Sequence, residues 1–162
     1  MNGEQAGGRT GRTGRTGRVG EAGVPALRLD IRRVLDGVPV QPIGVEFRFD
    51  PSSPMVVSAT FTPGHGREVT WRIGRGLLYR GLYGESGEGD VQAWPVRGEA
   101  ADVLWLLLES RESSAVFELP MAEVEGWLDA TYGLVPAEAE ADALDWAAFL
   151  GELLDDREQC GD

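Results

Sequence analysis

The sequence predicts an α+β domain of about seven antiparallel strands with two or three helices. Two observations carry that prediction. From Ala26 to Leu119, apolar residues recur at every second position in short runs, and clusters of Pro, Gly, Asp and Ser separate the runs. The period then shifts toward that of a helix between Ile73 and Tyr83, and again after Pro120. With 162 residues, 42% of them apolar, the chain has the size of one domain with tails and enough apolar surface to bury a core. Residues 1–24 are expected to form a disordered leader, 25–155 the folded domain, and 156–162 an acidic tail.

In the leader, Gly8-Arg9-Thr10 repeats through Gly11-Arg12-Thr13 and Gly14-Arg15-Thr16 to Gly17-Arg18, with hardly a side chain that could be buried. Its arginines could touch RNA or an acidic partner, but a solvated leader in loose, salt-sensitive contact with the acidic C-terminus is the simpler expectation. The first strand places Leu27, Leu29 and Ile31 on one face, and Asp36-Gly37 begins a turn. A second strand follows Pro39 and Pro42 and points Val45, Phe47 and Phe49 inward. Asp50 to Pro54 has the composition of a tight connection. A third strand (Val57, Ala59, Phe61), the Pro63-Gly64-His65-Gly66 turn and a fourth strand (Val69, Trp71, Ile73) complete a meander.

Leu77, Leu78, Gly81 and Leu82 gather on one side of a short helix that Gly74 and Gly76 weaken at its start. Gly84 to Asp90 reads as a flexible hairpin-like turn. The fifth strand, Asp90 to Val96, sets Val91, Ala93 and Pro95 against Gln92, Trp94 and Val96. The sixth, Asp102 to Glu109, is apolar on both faces, as a strand is in the middle of a sandwich, under a helix layer or in an oligomer interface; an outer face covered by another subunit is the preferred expectation. Ser114 to Leu119 makes the seventh. Pro120 opens a helix with Met121, Val124, Leu128 and Tyr132 on its stripe, ended by Gly133. An Ala/acid linker, Pro136 to Asp142, leads to a last amphipathic helix with Leu144, Leu150 and Leu154 on its apolar side.

Composition excludes several classes of function. A net charge of −12 opposes sequence-independent binding to nucleic acid or anionic membrane. Cys160 stands alone, so no intrachain disulfide can form, and a reducing compartment fits. The longest apolar run, Val103 to Leu108, is too short for membrane insertion. His65 has no second histidine or thiol to make a metal site or a base, and is expected to be a turn residue. The Gly84–Asp90 segment lacks the Lys and Ser/Thr of a phosphate loop and carries acids that repel phosphate. Glu138, Glu140, Asp142, Asp145, Asp155, Asp156 and Glu158 have neither the spacing of a calcium loop nor that of a catalytic pair, and are expected to be solvated. The expectation is no catalytic residue, no metal site, no cofactor and no small-molecule substrate.

One stretch carries a resemblance. Phe61, Trp71-Arg72-Ile73, Arg75, Leu77-Leu78, Gly81-Leu82 and Gly87-x-Gly89-Asp90-Val91-x-x-Trp94-Pro95 resemble the SsgA-like family of actinobacterial sporulation and cell division proteins, over about Ala26 to Leu154. The resemblance implies a Whirly-like fold with its strands in two sheets, a homotrimer, and a cytoplasmic protein at the division septum. It also implies a non-enzymatic regulator that helps septum placement, or assembly of the FtsZ and peptidoglycan machinery, through contacts with FtsZ or other SsgA-like proteins. Gly76 departs from the pattern, since many relatives carry an acid there. The alternative reading is a single-stranded nucleic-acid-binding protein of Whirly-like fold, which the acidic body and inward aromatics disfavour.

Overall fold

Alternation makes the strands of this protein, and turn chemistry sets where each one ends. The structure, a computed structural model, describes residues 23–141. The leader through Ala22, the expected last helix and the acidic tail lie outside the described residues. β1 (Leu27–Leu35) and β2 (Val38–Phe49) form a hairpin across Asp36-Gly37. Both loop residues take positive φ, 51° and 77°, the conformation that lets a two-residue turn follow the twist of its strands. β2 starts earlier than expected and takes in Pro39 and Pro42. It pairs with β1 from Val38 but with β3 (Val56–Pro63) only from Ile43. Both prolines therefore sit where one edge of β2 has no ladder to serve. The Asp50 carboxylate accepts hydrogen bonds from the backbone N of Ser52 (2.9 Å) and its Oγ (2.7 Å), closing the turn into β3. β4 (Val69–Gly74) completes the first meander, with His65 in the turn before it.

α1 (Arg75–Gly81) follows β4 with no loop between them. It rests directly on β5 (Val91–Val96), because a Cβ at Gly81 would lie 2.6 Å from the Cβ of Ala93. The segment from Gly84 to Asp90, expected to be flexible, is pinned instead. Ser86 and Ala93 exchange both backbone hydrogen bonds, at 2.8 and 2.9 Å, and Gly87 adopts a φ of 95° at a point where a Cβ would collide with the carbonyl of Val91. β6 (Val103–Glu109) and β7 (Ser114–Pro120) complete the second meander. α2 (Met121–Leu134) runs through Gly133, which was expected to end it, and a 3-10 turn at Ala137–Ala139 follows.

The seven antiparallel strands form one hydrogen-bonded sheet, in the order β4-β3-β2-β1-β7-β6-β5, and not the two sheets the resemblance implies. The joint between the meanders is narrow: Arg32–Val34 of β1 pair with Val116–Glu118 of β7. About that joint the sheet curls until Phe61 of β3 stacks on Phe117 of β7, with ring centroids 4.6 Å apart. The inner faces of both meanders thereby share one core with Leu78 of α1 and Val124 and Leu128 of α2. Leu104, Leu119 and Leu128 are fully buried there, each contributing about 1.5–3 kcal/mol. Trp127 of α2 packs on Phe47 and donates from Nε1 to the carbonyl of Pro25 (2.8 Å), which ties the start of the domain to this helix.

Candidate interaction surfaces

β6 places Leu104, Leu106 and Leu108 in the core and leaves Val103, Trp105 and Leu107 half-buried on the opposite face. The register continues that outer face across the neighbouring strands. Trp105 stands between Trp94 of β5 and Glu118 of β7, and Glu118 stands opposite Arg32 of β1. The indoles of Trp94 and Trp105 lie 6.2 Å apart between centroids, and Trp105 Nε1 donates to the Glu118 carboxylate at 3.2 Å. Val96, Val103, Leu107 and Val116 surround the pair. α1 and α2 pack on the inner face, so among the described residues no helix covers this patch. The aromatics were expected mostly on inward faces; these two tryptophans point outward, because Ala93 and Leu104 take the inward positions beside them.

The other half of the outer face is polar. There Glu46 accepts from Arg28 Nε (2.6 Å) and from Arg48, and these two guanidiniums, Arg48 first, hold its carboxyl below the usual carboxylate range.

A second surface forms where α1 meets α2, and its centre is Arg75. This side chain is completely buried. Its Nη2 and Nε reach the Glu140 carboxylate at 2.7 and 3.3 Å, and Nη1 donates to the Thr131 carbonyl at 3.0 Å. The guanidinium lies 3.9 Å from the ring centre of Tyr132 and 5.0 Å from that of Phe49. A buried cation needs this complete set of partners. Glu140 was expected to be a solvated charge in a linker; it is the counter-ion that fixes the chain after α2. Tyr79 of α1 meets Tyr83 and Tyr132 edge-on, at centroid distances of 5.5 and 5.3 Å. Burial pushes the Tyr132 hydroxyl up from the ordinary tyrosine value, and the Tyr79 hydroxyl does the same for Tyr83. A groove of about 360 Å³ opens beside them, floored by Tyr79 and Tyr132 and edged by Asp129, Pro136, Ala137 and Glu138.

Neither surface contains a nucleophile with a base. His65 is exposed in its turn, and among the described residues no group of three or more His, Cys, Asp or Glu is placed to hold a metal. No described helix is long and apolar enough to cross a membrane. Sequence reasoning noted Arg75 for its resemblance but missed its burial. The one local signal was an arginine between two glycines at a strand-to-helix junction.

The family model for the Streptomyces sporulation and cell division protein SsgA matches residues 43–140. The chain belongs to the SsgA family. This SsgA-family protein is 35% identical over 126 residues to the sporulation-specific cell division protein SsgB of Frankia casuarinae, a match covering 78% of this chain and 88% of the relative. It is 33% identical to SsgB of Streptomyces coelicolor, over 78% of this chain and 92% of the relative. Two solved structures share the fold. One, reported with the finding that mutations in SsgB correlate with longitudinal cell division during sporulation of Streptomyces coelicolor, has a TM-score of 0.70 at 33% identity and covers 74% of this chain and 94% of its own. The other is an SsgA-like sporulation-specific cell division protein from Thermobifida fusca, with a TM-score of 0.69 at 28% identity, covering 79% of this chain and 93% of its own.

The matched span runs from Ile43 in β2 to Glu140, so both surfaces of the SsgA-family domain fall inside it while β1 falls outside. The residues that carried the resemblance converge on α1: Gly81 lets the helix touch β5, Gly87 seats the loop that follows, and Arg75 holds the chain after α2. Gly76 faces Arg80 of the same helix, whose Nη1 would lie 3.0 Å from an added Cβ. Nothing in these comparisons favours a nucleic-acid-binding role, and a carboxylate, Glu118, stands beside Trp105 on the half-buried tryptophan face.

Proposed function

We propose that this SsgA-family protein serves sporulation-specific cell division as a non-enzymatic assembly factor, working at the division septum from the cytoplasm through protein contacts. The reading rests on the cell-division role for which its relatives are named. The observation that carries it is the uncovered Trp94–Trp105 patch. A partly exposed apolar face that is rich in tryptophan and poor in charge has the composition of a protein-binding core, not of a solvated face. In this reading the patch joins Whirly-like subunits into a homotrimer. The assembled protein then contacts FtsZ or other SsgA-like proteins to place or build the septum.

The test combines mass and location. Sedimentation equilibrium of the full chain should give three times the monomer mass, and Trp105→Glu should return it to monomer with its circular dichroism unchanged. A fluorescent fusion should form septal ladders in sporulating hyphae, and the same substitution should disperse them. A wild-type chain that stays monomeric, together with a uniform fusion signal and normal septation in the deletion strain, would overturn the reading.

A further inference from the structure

The groove between α1 and α2 combines partly exposed tyrosine rings with acidic groups. Tyr83, 65% exposed, meets Tyr79 edge-on beside it. Asp129 and Glu138 edge the groove itself. Arg75 behind them is already neutralised by Glu140. Carboxylates around tyrosine faces form a receptor for guanidinium, which pairs with the former and stacks on the latter. The fold already uses that geometry once, with Arg75 set over the Tyr132 ring.

This chain contains a ligand of the matching chemistry. Arg9, Arg12, Arg15 and Arg18 recur at every third position among Gly and Thr, and in an extended chain successive arginines stand about 10 Å apart. The tie between Pro25 and Trp127 fixes where that segment leaves the domain, beside the middle of α2. Asp129 and Tyr132 stand two and five residues further along the same helix, about 3 and 8 Å along its axis. The seven residues from Arg18 to Pro25 span up to about 25 Å, enough to round a helix of about 10–12 Å diameter. The residues after Ala141 include Asp142, Asp145, Glu152, Asp155, Asp156 and Glu158, which carry the same sign as the groove edge and do not match its chemistry.

We propose that the Arg-Gly-Thr leader of this chain docks in its own tyrosine-lined groove, with Arg15 or Arg18 over Tyr79 and Tyr83 and paired with Asp129 and Glu138. The short tether holds the arginines at high local concentration, so individually weak contacts suffice.

The test is paramagnetic relaxation in the full chain, with a nitroxide on Thr16→Cys in a Cys160→Ser background. At low salt, enhancement should concentrate on the amides of Tyr79, Tyr83, Asp129 and Glu138. It should fall several-fold in Asp129→Asn/Glu138→Gln and at about 1 M salt, where the screening length is about 3 Å. It should persist in Asp155→Asn/Asp156→Asn/Glu158→Gln. Enhancement on the C-terminal segment in place of the groove, no loss in the groove variant, or no localised enhancement each overturns the proposal. Isotope-labelled protein mixed with nitroxide-bearing protein should show no groove enhancement; if it does, a second copy's leader is the occupant and the intramolecular proposal fails.

Discussion

Arg75 and Glu140 form an asymmetric pair, and the asymmetry can be measured. The arginine is fully buried, whereas the glutamate side chain keeps 21% of its surface exposed. Removing the carboxylate leaves a cation inside the protein with only the Thr131 carbonyl and two aromatic rings around it. Removing the cation leaves an anion that water can reach. Glu140→Ala should therefore cost about 3 kcal/mol, while Arg75→Met, of similar volume and without charge, should cost clearly less. Urea denaturation of the two variants orders them, and equal costs would mean that the pair does not hold the α1–α2 junction by charge.

The short helix α1 shows how one substitution can act in opposite directions within a single element. Seven residues with glycine at the second and last positions, and no side-chain cap, make a helix held by its contacts more than by its own propensity. At Gly76 an added methyl meets only the end of the exposed Arg80 side chain, which can move aside. Gly76→Ala should stabilise the protein by about 1 kcal/mol through helix propensity. At Gly81 the same methyl would strike Ala93 and crowd Leu104, both fully buried. Gly81→Ala should destabilise by about 1–3 kcal/mol as α1 is pushed off β5. Thermal unfolding should thus move up for one alanine and down for the other.

For the whole molecule, the controlling feature is the curl of one sheet about a three-residue joint. Because Arg32–Val34 are the β1 residues that pair with β7, contacts across the interior must hold the two meanders at their angle. Phe61 and Phe117, stacked from opposite halves, are the most direct of these contacts. Phe117→Ala should cost about 3–5 kcal/mol and loosen the halves relative to each other. Hydrogen exchange should quicken in both meanders, not in β7 alone. A cleft of about 510 Å³ lined by Arg28, Ile31, Arg32, Glu118 and Glu123 opens where β1 leaves β7, and its width should follow that curl.

The sequence by itself determined the strand count, the Asp36-Gly37 and Asp50–Pro54 turns, the place of α1 and the family to which the chain belongs. These are local properties: alternation, turn chemistry and a spaced set of residues can be read within a window of about ten positions. It also marked β6 as apolar on both faces, without showing how far the outer patch extends. Only the tertiary structure decided that the two meanders share one sheet, that Trp94 and Trp105 sit side by side on its outer face, and that Glu140 is a counter-ion. Alternation says which residues share a face but not which strand lies beside it, and Arg75 meets Glu140 across 65 positions of sequence. A contact of that span leaves no periodic trace, because the folded backbone creates it and neither residue's neighbours do.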